Sequence, residues 1–498
     1  MTPASRSIVE WDADQLSQRI HAREVSCREV MQAYLARIHA VNPAYNAIVS
    51  LQPDEQLLTA ADARDAQLAR GESMGWMHGM PQAIKDMANC AGIATTQGSP
   101  LLRDFVPRED GLMASRMKAA GCLVLGKTNT PEFGLGSHTF NEVFGVTRNA
   151  WDPARSAGGS SGGAAVALAQ RLLPVADGSD FMGSLRNPAA WNHVFGLRPS
   201  QGRVPLSPAS DVWVSQLSTE GPMGRTVTDV LRLLKLQGGP TLNTPLSIAN
   251  NDHLAWTSLA FDPKNIRIGW LGDLYGYLPM EPGILDVSAQ ALKRLEGMGC
   301  IVEPVSLGRF DPATVWHAWL VWRRLLVAGR IAPLLLKPGN RAHIKPEALW
   351  EYDQAQGLTG PQFLAASTQR SAFYRHMLEL LSRFDVLALP TTQVWPFDAS
   401  LRWPKAINGQ PMDTYHRWME AVIYATFAGL PCLSVPAGFG NLDGPMPGPV
   451  TAESAPAAWP AGIQLIGQPQ GDFALLKLGH AYEQAAQDIL RITPPEMA

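Results

Sequence analysis

Two adjacent serines in a glycine-rich stretch are the residues of this chain that most suggest chemistry. Residues 155–170 read RSAGGSSGGAAVALAQ, so Ser160 and Ser161 lie between two glycine pairs, before an alanine-rich run typical of a helix. Such patterns occur in phosphate-binding loops, in the nucleophile turns of hydrolases and in flexible linkers. The role of the serines therefore depends on the segments that surround them.

A phosphate-binding pattern occurs elsewhere, where residues 121–128 read GCLVLGKT and fit G-x-x-x-x-G-K-[ST]. In a phosphate-binding loop the four variable residues curl so that their N–H groups converge on phosphate. Here they are Cys-Leu-Val-Leu, an apolar run that predicts a strand. Pro131 also fits poorly with a helix that would begin at Lys127. We expect a strand end instead, with Lys127 facing solvent or an acidic neighbour.

The stretch from Gly158 to Gly162 matches G-x-S-x-G, the nucleophile elbow of many hydrolases, in which a strand leads directly into the serine. The preceding TRNAWDPARSA is polar, contains Pro153 and has no strand pattern. The eleven histidines are scattered, and none is marked by the sequence as a catalytic partner. The pattern therefore does not favour a Ser-His-Asp enzyme.

A third arrangement joins Ser160 to Lys85, which ends the apolar stretch GMPQAIK, and to Ser184 in GSDFMGSLR. Four segments together resemble the amidase signature family of serine hydrolases: GMPQAIKD, GKTNTPEFG, ARSAGGSSGGAA and GSDFMGSLRNPAA. The stretches SCREVMQAYLARIHAVNPAYNAIV, YATFAGLPCLSVPAGFG and AGIQLIGQPQGDFALLKLGHAYE resemble its opening helix and its closing strands and helix. The resemblance covers nearly the whole chain except a variable middle.

This resemblance implies an α/β fold, with a single α/β/α domain over residues 1–498 and a mixed β-sheet of about eleven strands covered by helices. Residues 75–200 would form the signature core with the catalytic residues, and residues 201–383 a variable substrate-pocket or lid region. No metal and no cofactor are implied.

The resemblance also implies a Ser-Ser-Lys triad, with Ser184 as nucleophile, Ser160 as bridging serine after a cis peptide bond, and Lys85 as base. A serine hydroxyl is a weak nucleophile until a base removes its proton. Lysine is such a base only when neutral, and burial favours the neutral form. A hydroxyl can accept one hydrogen bond and donate another, so Ser160 can relay a proton. Taken alone, Lys85 also fits an ion pair, and Ser160 and Ser161 fit a plain turn.

A loop of main-chain N–H groups would stabilise the tetrahedral intermediate as an oxyanion hole. By resemblance its members are Phe181, Met182, Gly183 and Ser184. Three further residues are expected to support this loop through hydrogen bonds: Ser179, Asp180 and Arg186. The family usually has glycine where this chain has Met182, so we expect a reshaped loop, with the methionine side chain lining the acyl or leaving-group pocket.

The leading hypothesis is a serine amidohydrolase that cleaves C–N bonds of linear amides through an acyl-enzyme. Aryl amides or carbamates are suggested by the tryptophan-rich middle, although the pattern of Trp316, Trp319, Trp322 and Trp350 favours a core helix over a ligand-facing wall. A subunit of a glutamine-dependent tRNA amidotransferase would share the signature, but it would need partner proteins and a polar glutamine pocket. The apolar middle of the chain argues against this second hypothesis. A non-catalytic scaffold is a third hypothesis, raised by Met182.

Composition restricts the partners. The chain is 46% hydrophobic and 17% charged with a net charge of -3, which predicts a globular protein without nucleic-acid or membrane partners. We expect a small-molecule substrate, with a homodimer as an open alternative to a monomer. The start has no apolar signal-peptide region and no apolar run approaches a membrane span. The five cysteines are widely separated and predict reduced thiols and a cytoplasmic location.

Local patterns predict several elements. Ser26 and Glu29 have the spacing of a capping box before a helix. Strands are expected in GMPQAIKDM, GCLVLGKTN, FDVLALPTT, LPCLSVPAG and IQLIG. Residues 438–462 are rich in Gly, Pro and Ala and predict a surface loop.

Overall fold

The structure is a computed structural model that describes residues 7–446 and 458–495. The helix Cys27–Tyr45 begins at the predicted capping box of Ser26 and Glu29. The helices are α1 Ala13–His21, α2 Cys27–Tyr45, α3 Asp54–Ala69, α4 Leu112–Ala119, α5 Gly162–Ala169, α6 Arg186–Trp191, α7 Val227–Gln237, α8 Ile284–Gly297, α9 Pro312–Leu335, α10 Pro346–Ala355, α11 Gly360–Leu381, α12 Ile423–Ala428, α13 Asp472–Ala485 and α14 Gln487–Leu490.

The strands form one large mixed sheet and smaller ones. The strands are β1 Ile48–Val49, β2 Pro81–Lys85, β3 Leu123–Thr128, β4 Phe140–Asn141, β5 Gly145–Val146, β6 Ala176–Asp180, β7 Phe195–Arg198, β8 Thr219–Gly224, β9 Arg267–Trp270, β10 Ile301–Pro304, β11 Val386–Pro390, β12 Ala406–Ile407, β13 Gln410–Pro411, β14 Cys432–Asn441, β15 Gly444–Pro445 and β16 Trp459–Ile466. The large sheet has the order β10-β9-β11-β16-β14-β7-β8-β6, with β15 paired to β14. In it the pairs β10–β9 and β9–β11 are parallel, and the other pairs are antiparallel.

The mixed α/β fold is confirmed, with nine strands in the large sheet of the described residues against about eleven expected. A separate sheet, β1-β3-β2, lies beside it, since β2 contacts β6. Between these two strands, the Asp177 side chain accepts hydrogen bonds from the Lys85 main-chain N–H and from Gln82. The Asp177 side chain thus takes the place of the main-chain hydrogen bonds that would otherwise join β2 to β6 and make the two sheets continuous.

Helices pack on the large sheet and on one another. The helices α6 and α8 contact both β14 and β16, and α13 packs against α7 and β14. The helix α9 packs on α10 and α11, and three of its tryptophans are buried: Trp316, Trp319 and Trp322. Among the described residues, none of the helices combines the length and the apolar composition that a membrane span requires.

Residues 123–128 and 438–462 each differ in part from the structure predicted for them. Residues 123–128 form the predicted strand, but Lys127 is fully buried, so the solvent-facing alternative is wrong. Its Nζ donates to the carbonyl of Ala88 and to Thr95, and Asp86 is the acidic neighbour. Within residues 438–462, β14, β15 and β16 occupy much of the predicted loop, and residues 447–457 lie outside the described residues.

Candidate active site

The end of β2 places a lysine in the interior of the protein. All five residues of this strand are buried, and Lys85 is 1% exposed. Its Nζ lies 2.8 Å from the hydroxyl of Ser160, 2.8 Å from that of Ser161 and 3.0 Å from that of Ser179. An ammonium group has three N–H donors, and a neutral amine has two together with one lone pair. Three hydroxyls, each able to donate or accept, can therefore satisfy Lys85 in both protonation states.

Burial lowers the pKa of Lys85 from an ordinary value of 10.5 to about 7, because desolvation penalises the charged form. The carboxyl groups of Asp177, Asp180 and Glu220 act in the opposite direction, and the positive charge of Arg330 adds to the lowering. No carboxylate lies within ion-pair distance of Nζ among the described residues, which argues against the plain ion-pair alternative. The neutral amine is thus accessible near neutral pH.

The serine pair lies in a turn that leads directly into α5, with no strand immediately before it. The Gly159–Ser160 peptide bond is cis, as the family resemblance implies. Close packing explains one of the glycines, since a Cβ at Gly163 would lie 2.4 Å from the main-chain nitrogen of Asn129. The turn can therefore press against the end of β3, and this packing fixes Ser160 and Ser161 over Lys85.

The second serine segment follows β6, where Ser184 lies in the turn before α6 and is 6% exposed. The main-chain N–H of Ser161 donates to the carbonyl of Ser184 at 3.3 Å, so the two serine segments touch. Gly183 has a φ of 77°, and a Cβ there would lie 2.8 Å from a methyl of Val422. No hydrogen bond joins the hydroxyls of Ser160 and Ser184 in the described structure.

A buried carboxylate holds this loop. Asp180 pairs with Arg186 through two contacts of 3.0 Å, and Arg198 lies 3.5 Å away. Burial acts to raise the pKa of Asp180, but the two guanidinium groups and main-chain donors lower it to about 2. Its oxygens accept the N–H groups of Gly183 and Leu185. The predicted supporting residues Asp180 and Arg186 thus lie directly under the turn that carries Ser184.

The main-chain N–H groups expected to form the oxyanion hole differ in whether they already donate a hydrogen bond. The Gly183 N–H donates to Asp180 at 2.9 Å and is already occupied. Among the described residues, the main-chain N–H groups of Phe181, Met182 and Ser184 donate to no acceptor. Three main-chain donors of the loop thus stay available to an oxygen that approaches Ser184.

Met182 is 2% exposed and adopts no left-handed backbone conformation, which Gly183 provides instead. Its sulfur lies 3.6 Å from Nη1 of Arg323 on α9. Arg323 is itself buried, pairs with Glu351 and donates to the Tyr415 hydroxyl. The side chain that departs from the family pattern therefore joins the loop to a buried polar cluster between α9 and α10.

Three residues near Lys85 have no catalytic role in the sequence-based predictions, in which Ser161 is only part of a turn. Ser161 is as close to Nζ as Ser160 is, and only its place beside Ser160 could have signalled it. Asp177 holds the main chain of Lys85. Glu220, on β8 opposite Ser179, is buried, and desolvation raises its pKa to about 8. Strand pairing brings Asp177 and Glu220 to the site, and no local pattern marks them.

An apolar wall borders the loop of Ser184. The Phe181 ring lies 5.7 Å from that of Trp319 and packs on a cluster that includes Phe133, Val327 and Ile331. A Cβ at Gly134, next to Phe133, would lie 3.5 Å from the Ser160 hydroxyl. Aromatic and aliphatic groups are therefore the neighbours of the serines on the side of α9.

A family model described as Amidase matches residues 29–476 of this chain. The chain belongs to the amidase signature family. A bacterial aryl acylamidase of this family has a similar structure, with a TM-score of 0.85, 28% identity and coverage of 96% of both chains. Another relative is the A subunit of the glutamyl-tRNA(Gln) amidotransferase of Chloroflexus aurantiacus, 32% identical over 494 residues that cover 94% of each chain. The corresponding protein of Thermosynechococcus vestitus is 32% identical, with coverage of 94% of this chain and 97% of that protein.

Membership makes this chain an enzyme of the amidase family, either a hydrolase or an amidotransferase. In the described part of the chain, no group of three or more His, Cys, Asp or Glu side chains could hold a metal ion. The five cysteines are buried and free of disulfides.

Proposed function

We propose that this protein is a serine amidohydrolase that cleaves an amide C–N bond through an acyl-enzyme on Ser184. The observation that carries the proposal is the buried Lys85 amine, enclosed by serine hydroxyls and with a pKa lowered to about 7 by burial. A lysine in this state can take a hydroxyl proton, whereas a lysine of ordinary pKa is almost entirely protonated at neutral pH.

In the first step the Ser184 hydroxyl attacks the substrate carbonyl and gives its proton to Ser160, whose own proton passes to Lys85. The relay requires the Ser184 hydroxyl to turn within hydrogen-bond distance of Ser160. The main-chain N–H groups of Phe181, Met182 and Ser184 are free to receive the negative charge on the carbonyl oxygen.

In the second step the C–N bond breaks, and the proton on Lys85 returns through Ser160 to the leaving amine. Water then attacks the Ser184 ester, again losing a proton to the relay, and the carboxylic acid departs as Ser184 regains its hydrogen. Each proton taken up by Lys85 is returned, so the base is regenerated in every cycle.

The apolar wall supports aryl amides as the substrate class. Phe181 is partly exposed beside the loop of Ser184, and the buried rings of Trp319 and Phe133 pack behind it, so the exposed surface there is aromatic. The structurally similar protein with 28% identity is an aryl acylamidase. Carbamates share the reacting carbonyl and are a secondary candidate.

The test is a turnover assay on the purified chain with 4-nitroacetanilide, glutamine and an aryl carbamate. Ser184→Ala should abolish release of 4-nitroaniline while the circular dichroism spectrum stays unchanged. A fluorophosphonate probe should label Ser184, as located by peptide mass spectrometry. Labelling of Ser160 or Ser161 instead would refute the assignment of the nucleophile.

The second candidate is a glutaminase-type subunit of a tRNA-dependent amidotransferase, favoured by the 32% identity to such subunits over nearly the whole chain. This function predicts a protein partner and ammonia release from glutamine. Turnover of anilides but not of glutamine by the isolated chain would decide for the amidohydrolase. Glutaminase activity that appears only with a copurifying partner would decide for the amidotransferase.

A further inference from the structure

A cavity of about 600 Å³ lies apart from the catalytic loops, and we call it the α11 cavity. Its wall is formed by α11, by residues 427–430 around the end of α12, and by parts of residues 200–216. This volume is within the range of small-molecule sites in proteins. None of the predicted catalytic or oxyanion residues lines it.

The charged side chains that line the α11 cavity are all positive. Two arginines of α11, Arg370 and Arg375, line it, and no aspartate or glutamate is among its described lining residues. No ion pair to a carboxylate joins either arginine in the part of the chain that the structure describes. A cation held partly out of water is costly unless an anion compensates it, so the cavity is suited to an anionic ligand.

Arg370 is held in place while part of its guanidinium stays free. Its Nε donates to the carbonyl of Phe427 at 2.8 Å, and Nη2 donates to that of Gln216 at 3.3 Å. Its guanidinium carbon lies 4.6 Å from the centre of the Trp322 ring. Nη1 has no acceptor in the described structure, so a prepositioned donor remains. Desolvation, together with the nearby Arg198, lowers the pKa of Arg370 to about 10, as expected for a cation without its counter-ion.

Aromatic side chains supply the remaining recognition surface. Trp322, Phe427, Tyr374 and Trp213 line the α11 cavity, and Trp213 is 65% exposed. An exposed tryptophan at the wall of a cavity offers surface that a flat ligand can cover.

The α11 cavity and the catalytic loop share a wall. The Trp319 ring lies 5.9 Å from Phe427, which lines the cavity, and 5.7 Å from Phe181 beside Ser184. Arg198 donates to the carbonyls of Asp180 and Leu217, and Leu217 is next to Gln216 of the cavity wall. The cavity is thus a separate space behind the catalytic loop.

We propose that the α11 cavity is a second ligand site for an aromatic carboxylate, whose anionic group pairs with Arg370 and whose ring lies against the aromatic wall. The pairing is a charge-assisted hydrogen bond from Nη1, and the ring excludes water from it. This site is independent of the proposed hydrolysis, because it uses none of the residues assigned to that reaction.

The test is isothermal titration calorimetry on the full chain with benzoate, and with acetate and benzyl alcohol as probes that lack the ring or the charge. We expect saturable benzoate binding, with the other two probes at least about tenfold weaker, because acetate lacks the ring that covers the aromatic wall and benzyl alcohol lacks the charge that pairs with Arg370. Arg370→Met should weaken benzoate binding by about tenfold or more.

A second pair of variants keeps the test informative if the Arg370→Met protein does not fold. Ser371 lines the cavity, whereas Thr368 does not, and both are exposed on α11 with hydroxyls that donate to the carbonyl four residues earlier. Ser371→Phe should weaken benzoate binding by about tenfold or more, while Thr368→Phe should leave it within about twofold. Undetectable binding to the wild-type chain, or equal affinity in both phenylalanine variants, would overturn the proposal. Acetate binding as tight as that of benzoate would reduce the site to a simple anion site and overturn the ring requirement.

Discussion

Replacement of Lys85 by arginine tests whether this residue acts as a base. At pH 7 about half of the Lys85 side chains are neutral, because burial lowers the pKa to about 7. A lysine with an ordinary pKa of 10.5 would be neutral in about one molecule in 3,000 at this pH. Arginine stays protonated, so Lys85→Arg should lower kcat/KM by about 10²–10⁴-fold, the usual contribution of general base catalysis.

The pH dependence provides an independent readout of the same prediction. Below pH 7 the Lys85 amine gains a proton, so kcat/KM should fall about tenfold per pH unit, and above pH 7 it should reach a plateau. The folded pKa lies below the unfolded value, so the unfolded chain binds the additional proton between pH 7 and about 10.5. As far as Lys85 contributes, the free energy of unfolding is therefore lowest and constant below pH 7 and rises with pH through this window.

The assay is the initial rate of anilide hydrolysis from pH 5 to 9, with thermal unfolding followed at each pH. Lys127, a second buried lysine at the end of the neighbouring β3, supplies the control. Folded Lys127→Arg protein should keep the profile with its midpoint near 7, whatever stability it loses. A flat profile between pH 5 and 9, or near-normal turnover by Lys85→Arg, would show that Lys85 is not the base.

Three further predictions concern the surroundings of the triad. Met182→Gly should keep the fold and some activity but change the ratio of kcat/KM between a short and a bulky acyl anilide; an unchanged ratio would show that Met182 does not shape the pocket. Arg323→Met should lower the free energy of unfolding by roughly 3–5 kcal/mol in urea titrations, because it leaves the Glu351 carboxylate buried without its ion-pair partner; a double variant with Glu351→Gln that is no more stable would contradict this. Ser161→Ala should cost about tenfold in kcat, less than removal of the bridging hydroxyl in Ser160→Ala, since Ser161 orients Lys85 without carrying the proton; equal losses would contradict that division of roles.

The family, the mixed α/β class and the strands that end near the site can all be predicted from the amino-acid sequence. The capping box at Ser26 and the apolar runs of β2, β3, β11, β14 and β16 depend on local spacing and on burial of neighbouring side chains. The resemblance around Lys85, Ser160 and Ser184 named the candidate triad because these motifs are compact in sequence. The assignment of catalytic roles to these residues stays a prediction.

The other groups around Lys85 come from segments that are brought together only when the chain folds. Asp177 and Glu220 reach the site through the pairing of β6 with β8 and the contact of β2 with β6, which connect residues far apart in sequence. Burial of Lys127 likewise depends on the segments packed over β3, which no property of GCLVLGKT reveals. The shift in the pKa of Lys85 has the same origin, since desolvation is a property of the packed interior.

The side chain of Met182 illustrates the same limit. The sequence shows that methionine stands where the family usually has glycine, but its direction depends on the helix that packs behind the loop. The Met182 sulfur contacts Arg323 on α9, and Gly183 rather than Met182 adopts the left-handed conformation. Local sequence names the residue types, and long-range packing decides what each of them touches, because contacts between distant segments form only when the whole core assembles.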